Sequence, residues 1–315
     1  MASTMNEPLL TIGIPTYNRE VNLRESLLRI CPQLTDEIKV VVRDNCSNYN
    51  ALNVINEFKG FPIEYYRNSI NIGADANIAR IFEYCDTKWL WVIGDDDYIL
   101  PDAVDRVLKS IKENPDVIYI KYNSAYVGKT KGIDGFAEAM KPREMFGRSY
   151  FTSICIYNLT NNKEDIYWHY KYLSTMCAQI VRVMKHLLAH PEDECLFFKE
   201  VLLDEHGTNN SWVATDLLIF QPTLFEIFYD QKPVLKSNVF KTIISTSLIY
   251  NQSALKLRKK IYYWRLLVCR MGFFNIVQYN FIHFIATSFY TFLGENVYNK
   301  IKKATRSIWK DKDEK

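Results

Sequence analysis

Three consecutive carboxylates, Asp95, Asp96 and Asp97, stand where the apolar run Trp89-Leu90-Trp91-Val92-Ile93 ends, separated from it only by Gly94. Adjacent ionised groups repel, so a folded chain holds three of them at a strand end only if solvent or a cation offsets the repulsion. The aromatic and β-branched content of the run suits a strand buried on both faces. Open α/β sheets take ligands at the carboxyl ends of such strands. Magnesium and manganese bind one or two carboxylates, keep several waters and complete their shell with substrate phosphates. The triplet therefore reads as a Mn2+ or Mg2+ site shared with a diphosphate. The competing reading is a solvated acidic turn before the helix that Pro101 opens.

Two further polar loops follow apolar runs. Leu9 to Ile14 is expected as a first strand, closed by Pro15, with Thr16-Tyr17-Asn18-Arg19 before a helix of roughly residues 20 to 30. Lys39 to Val42 ends on Arg43-Asp44-Asn45-Cys46-Ser47, where Asp and Asn favour turns and can cap a helix near residues 49 to 58. A third strand over Ile63 to Tyr66 leads into Arg67-Asn68 and Asn71-Ile72-Gly73, then a helix from about Ala74 to Tyr84. Gly73 before that helix could let backbone N–H groups approach a phosphate, or be plain turn chemistry. The acidic strand, a helix over Asp102 to Lys112 and a strand over Val117 to Tyr122 complete the pattern. Strands alternating with helices of about ten residues predict βαβ units and a mostly parallel sheet with right-handed crossovers. The loops after the first, second and fourth strands then share one edge, with Asp44 and Asp95 to Asp97 at one crevice.

These blocks are similar to the successive blocks of family 2 glycosyltransferases: Thr11-Ile12-Gly13-Ile14-Pro15-Thr16-Tyr17-Asn18-Arg19, Val41-Val42-Arg43-Asp44-Asn45-Cys46-Ser47, Arg67-Asn68 to Asn71-Ile72-Gly73, and Gly94-Asp95-Asp96-Asp97 through Pro101. The match covers about residues 9 to 125, and four blocks in the family's order make it specific where one would be weak. The resemblance implies the GT-A nucleotide-diphospho-sugar transferase fold. It implies that Thr16, Tyr17 and Arg19 line a nucleotide pocket, with Asn71 and Gly73 in the same donor-binding set. It further implies that Asp44 hydrogen-bonds the base, that Asp95 sits against the ribose, and that Asp96, with Asp97 beside it, binds a divalent cation bridging the diphosphate. The family's commonest acidic motif has an Asp where this chain has Gly94; subfamilies with an uncharged residue there resemble sugar transferases of bacterial surface-polysaccharide assembly, particularly those making deoxysugar linkages.

Beyond Tyr126 the pattern blurs. Gly128 to Gly135 reads as a Lys/Gly-rich loop able to move over the site, Ser153 to Tyr157 as a strand, and Thr175 to Ala189 as a helix with Ile180, Val183, Met184 and Leu187 on one face. Inverting transfer needs a base for the acceptor hydroxyl. The resembling family offers a Glu-Asp pair at a helix start, which Met176-Cys177-Ala178-Gln179 lacks. Asp204, Glu205 and Asp216 are the candidate bases, and each could equally be a surface or capping group.

From about residue 254 the character changes: 13 Lys/Arg stand against 4 Asp/Glu, so the tail carries +9 and residues 1 to 253 carry −6 of the net +3. Residues 271 to 294 lack charged side chains and are rich in Phe and Tyr, but Asn275, Gln278, Asn280 and His283 make a poor spanning helix. Basic flanks suit helices on an anionic membrane surface; packing against the catalytic domain or a second copy is the alternative. Nucleic acid is not expected, because no reader motif accompanies the charge. Seven scattered Cys without a C-x-x-C spacing argue against a disulfide framework, and no secretory signal opens the chain. A cytoplasmic protein, peripheral on the inner face of the plasma membrane, fits both.

The expected organisation is a GT-A domain over 1–253, with a nucleotide-binding half at about 9–125 and an acceptor-binding half at about 126–253, followed by a helical C-terminal extension over 254–315. The expected activity is metal-dependent transfer of a hexosyl or deoxyhexosyl group from a nucleotide-diphosphate sugar to a hydroxyl of a glycan or lipid-linked acceptor. Rivals are a sugar-nucleotide-binding scaffold without turnover and a nucleotidyltransferase on a similar sheet, whose Gly/Arg/Lys-rich first loop Pro15 to Arg19 does not supply.

Overall fold

The apolar runs fold as strands of one sheet in a computed structural model that describes residues 7–140, 152–204 and isolated helical positions between 258 and 300. The strands are β1 (Leu10–Thr16), β2 (Ile38–Asp44), β3 (Ile63–Arg67), β4 (Trp89–Val92), β5 (Tyr119–Lys121), β6 (Gly128–Lys131), β7 (Cys155–Asn158) and β8 (Glu194–Phe197), in spatial order β3-β2-β1-β4-β7-β5-β8-β6. The β3-β2-β1-β4 half is parallel throughout. Past β4 the sheet turns mixed, since β7 runs antiparallel to both β4 and β5 while β5 and β8 are parallel. Leu10, Ile12, Ile14, Val40, Val42 and all of Trp89 to Ile93 are buried, as strands covered on both faces require.

The helices between them are α1 (Glu20–Ile30), α2 (Ala51–Ile55), α3 (Ala74–Tyr84), α4 (Ala103–Glu113), α5 (Gly132–Ala139), α6 (Asn162–Lys171) and α7 (Ala178–Ala189). In α4 an apolar stripe of Val104, Val107, Leu108 and Ile111 faces inward at helical spacing. In α7 the four residues expected on one face, Ile180, Val183, Met184 and Leu187, are buried together. Gly13 of β1 lets α3 close onto the sheet: a Cβ there would stand 2.4 Å from Ile81 Cγ2.

Three of the departures from the sequence expectation have a physical reason in the local contacts. Pro15 does not end β1; it pairs in register with Arg43, and because β1 meets β4 only from Leu10 to Gly13, its missing N–H falls beyond that ladder. The segment 128–135 is not a loop but β6 followed by the first turn of α5. Lys129 and Lys131 point outward and Thr130 inward, the alternation of an edge strand, and Gly132 takes φ +60° against the Pro191 carbonyl, which a Cβ would meet at 2.6 Å. The helix expected from Thr175 begins at Ala178, because Leu173–Thr175 forms a 3₁₀ turn and Met176 is left-handed at φ 60°.

The chain divides into two compact units, Met1–Ala139 with Gly147–Ser211 and Met140–Phe146 with Trp212–Lys315. The whole sheet belongs to the first. In the second, the Trp264 indole donates to Ser288 Oγ at 3.1 Å and packs edge-on against Phe292, while Phe274 and Phe281 are exposed. Among the described residues no helix is long and apolar enough to cross a membrane.

Candidate functional site

β1, β2 and β4 end side by side, and each delivers polar residues to the same edge. Thr16 closes β1 in register with Asp44. The Asn45 N–H donates to the Thr16 carbonyl at 2.9 Å, and the Thr16 hydroxyl donates to Asp95 Oδ2 at 2.7 Å. One threonine thus stands between the two acidic tips. The loop after β1 is stapled to the loop after β2: Asn18, left-handed at φ 55°, donates its N–H to Ser47 Oγ at 2.9 Å and accepts the Asn48 N–H at 2.7 Å. Tyr17 between them is exposed.

Asp44 is fully buried and saturated by its own chain. Its Oδ2 accepts from Arg67 Nη1 at 2.6 Å and from the Tyr65 hydroxyl at 2.9 Å, and its Oδ1 accepts the Ser47 N–H at 2.8 Å. Burial, with Asp44 beside it, pushes the Tyr65 phenol up to about 12. Asn71 and Gly73 join the edge through Asn45. Asn45 donates to Asn71 Oδ1 at 2.8 Å and accepts from the Ile72 N–H and from Asn68, while Asn68 and Asn77 link that hub to the Arg43 carbonyl of β2. Gly73 takes φ 87° at the start of α3, and its N–H is engaged by Asn71 Oδ1 at 2.9 Å.

The three carboxylates after β4 have three different environments. Asp95 is buried between Thr16 and Arg19; burial pushes its carboxyl up to about 6 against the opposing pull of those two partners. Asp97 is turned inward, accepting from Ser153 Oγ at 2.5 Å, and burial pushes it too up to about 6. Asp96, with its side chain 19% exposed, is the most open of the three and meets Arg19 Nη1 at 2.6 Å. Gly94 is a spatial consequence of this arrangement: a Cβ there would stand 2.9 Å from Asp97 Oδ2 and 3.2 Å from Asp96 Oδ1. Where the resembling motif carries an acid, this chain has filled the space with the carboxylate of Asp97.

A divalent cation fits this donor set in one way. Among the described residues no group of three or more His, Cys, Asp or Glu side chains is arranged to hold a metal by protein alone. A single open carboxylate, Asp96, beside two inward-turned ones matches an ion that draws most of its shell from water and phosphate.

Of the candidate bases, Asp204 lies beside the acidic turn. Its N–H donates to the Tyr98 carbonyl at 2.8 Å, its carboxylate pairs with Arg29 at 3.2 Å, and the adjoining Leu203 bridges Ile99. Glu205 and Asp216 lie outside the described residues. Sequence reasoning missed Ser153, which also accepts the Gly94 N–H at 2.9 Å. It missed Tyr65, and it noted Arg67 without its pairing to Asp44. The alternation Ile63, Tyr65, Arg67 along one strand face was the available signal for the last two.

Ser153→Ala is expected to destabilise the protein by about 1.5–3 kcal/mol, the range for a hydrogen bond to a charged group, because it frees one buried carboxylate and one half-buried N–H. A urea midpoint equal to that of the parent would show that the Ser153 hydroxyl holds nothing in place.

Comparison with known proteins agrees with this geometry. Over 137 residues, 44% of this chain, it is 27% identical to an uncharacterized glycosyltransferase of Haemophilus influenzae. Over 117 residues, 36% of the chain, it is 31% identical to the abequosyltransferase RfbV of Salmonella typhimurium. These matches span 46% and 35% of the two relatives, so the chain spans less than half the length of the curated relatives it matches. Among solved structures, S. aureus TarS 1-349 in complex with UDP-GlcNAc is similar at a TM-score of 0.60 and 13% identity, covering 95% of this chain and 91% of that one. That likeness shows the GT-A fold. The model of the family described as Glycosyl transferase family 2 matches residues 11–170, half of the chain. This chain, with its acidic tips gathered on one edge of the sheet, belongs to the family 2 glycosyl transferases.

Proposed function

We propose that the protein transfers a sugar from a nucleotide-diphosphate donor to a hydroxyl of a glycan or lipid-linked acceptor, in bacterial surface-polysaccharide synthesis. The observation that carries this is the convergence of Asp44, Thr16 and Asp95 to Asp97 at the ends of three adjacent parallel strands, with Asp96 the most exposed of the three carboxylates. Thr16, Tyr17, Arg19, Asp44, Asn71, Gly73 and Asp95 form the donor set. Asp44 is assigned to the base; its buried carboxylate, held by Arg67, Tyr65 and Ser47, fixes the position of those groups at the edge. Asp95 stands where it can meet the ribose. Asp96 holds Mn2+ or Mg2+, with Asp97 behind it as a buried support. When bound, the cation supplies charge neutralisation on the leaving diphosphate. One of Asp204, Glu205 and Asp216 takes the acceptor proton, and inversion at the sugar carbon follows from direct displacement.

Residues 9–125 are assigned to the donor and 126–253 to the acceptor. Relatives support the class of reaction: RfbV is an abequosyltransferase and the TarS structure holds UDP-GlcNAc. The basic, aromatic segment 254–315 is assigned to the anionic inner face of the plasma membrane, where a lipid-linked acceptor is presented.

The test is a panel of nucleotide sugars, each assayed for thermal stabilisation and for donor hydrolysis with and without manganese. At least one donor should stabilise the protein and be hydrolysed only with the metal. Stabilisation without turnover across several acceptors would replace transfer with a binding or scaffold role, and pyrophosphate release from a nucleoside triphosphate would indicate nucleotidyl transfer.

A further inference from the structure

Arg19 stands where a cation would be needed. Its Nη1 lies 2.9 Å from Asp95 Oδ1 and 2.6 Å from Asp96 Oδ2, so one guanidinium nitrogen bridges both carboxylates. Asp95 is nearly closed to solvent at 5% side-chain exposure, whereas Arg19 at 31% and Asp96 at 19% remain reachable. The backbone beneath Arg19 is held on both sides. Asn18 is pinned to the loop after β2 by two hydrogen bonds, and the Arg19 carbonyl accepts the Leu23 N–H at 3.0 Å in the first turn of α1.

A guanidinium and a divalent ion repel, and they cannot share the open face of Asp96. A nucleoside diphosphate changes that balance, because its phosphates accept hydrogen bonds from a guanidinium fork and ligate a metal at the same time. We propose that Arg19 is an exchange residue. In the donor-free protein it neutralises Asp95 and Asp96 and keeps a bare cation out; when metal and nucleoside diphosphate enter together it leaves Asp96 and pairs with phosphate. This rests on the assignment of Asp96 to the cation. The consequence is reciprocal binding: metal and diphosphate each raise the affinity of the other, and Arg19 sets the size of that coupling.

The test measures Mn2+ binding by electron paramagnetic resonance in the full chain, alone and with UDP, GDP, CDP or dTDP, for the parent, Arg19→Ala, Arg19→Gln and Asp96→Asn, with thermal melts to verify folding. Removing the arginine charge should raise affinity for Mn2+ alone by about tenfold or more and shrink the gain that the nucleotide brings; Arg19→Gln keeps hydrogen-bonding capacity and should behave like Arg19→Ala. Equal or weaker binding of Mn2+ alone in both arginine variants overturns the exchange. If Asp96→Asn binds Mn2+ and nucleotide as the parent does, the cation assignment itself falls, which is a separate outcome from the first.

Discussion

Asp96→Asn is expected to lower turnover on the order of 10³-fold while leaving the fold intact, a loss of the size produced when one main stabiliser of developing charge is removed. The side chain is the most exposed of the three acids, and its contact is with Arg19, itself partly exposed, so the change removes little folding energy. Release of nucleoside diphosphate from the donor that stabilises the parent gives the rate, and a manganese-dependent shift in melting temperature gives an independent readout. Both should vanish together. Parent-like turnover in the variant would take this carboxylate out of the reaction.

The largest loss of stability is expected far from the acidic turn, in a charged cluster behind α3. His186 of α7 lies between two carboxylates, with Nδ1 3.0 Å from Asp165 Oδ2 on α6 and Nε2 2.7 Å from Asp193 Oδ2 before β8. Arg182 approaches the same Asp165 oxygen at 3.8 Å and stacks over Phe82 of α3 at 5.3 Å. His169 packs against the Phe82 ring at 4.6 Å. Burial pulls Arg182 down to about 10 and His169 to about 3, the latter also repelled by Arg182. Asp165→Ala would leave a buried guanidinium and the His186 ring without the carboxylate they share, and is expected to cost about 3–5 kcal/mol by chemical denaturation. A loss below about 1 kcal/mol would mean that the cluster is held by packing alone.

The same cluster predicts a pH signature. Burial lowers the His186 pKa, but the bonds to Asp165 and Asp193 outweigh it and leave the folded value above the ordinary 6.5. Its contribution is therefore complete below pH 6.5 and fades as pH rises through the folded value. The melting-temperature gap between parent and His186→Gln should be level in mildly acidic buffer and narrow on the alkaline side. His169 has the opposite sign: its folded pKa is depressed, so its share is lost as pH falls from 6.5 toward about 3.

The parallel half of the sheet was legible because its signals are local. Apolar runs of strand length, ended by Pro15, by Arg43-Asp44 and by Gly94 before the acidic triplet, marked β1, β2 and β4, and the topology rules for βαβ units put their ends together. The α3 boundaries were read as they stand, Ala74 to Tyr84, since a glycine precedes the helix and its apolar spacing is regular. The mixed half was harder. β6 is written in Gly, Lys and Thr, residues that also make loops, and α6 carries His169 and Asp165 inward against Phe82 and His186, so its buried face is not an apolar stripe. Within the site, types could be read but partners could not: nothing local to Asp97 points to Ser153, and nothing local to Asp44 says that its carboxylate is already shared among Arg67, Tyr65 and Ser47.

β7 lies against β4 in the reverse direction, so the residue that reaches the acidic turn, Ser153, comes from the 3₁₀ turn just before β7, far downstream in the chain. During synthesis the three carboxylates leave the ribosome well before the strand that closes over them exists. A nascent chain halted before Thr152 therefore carries every acid of the turn but lacks the hydroxyl that draws Asp97 inward, and the finished geometry of the turn is reached only once β7 has been made.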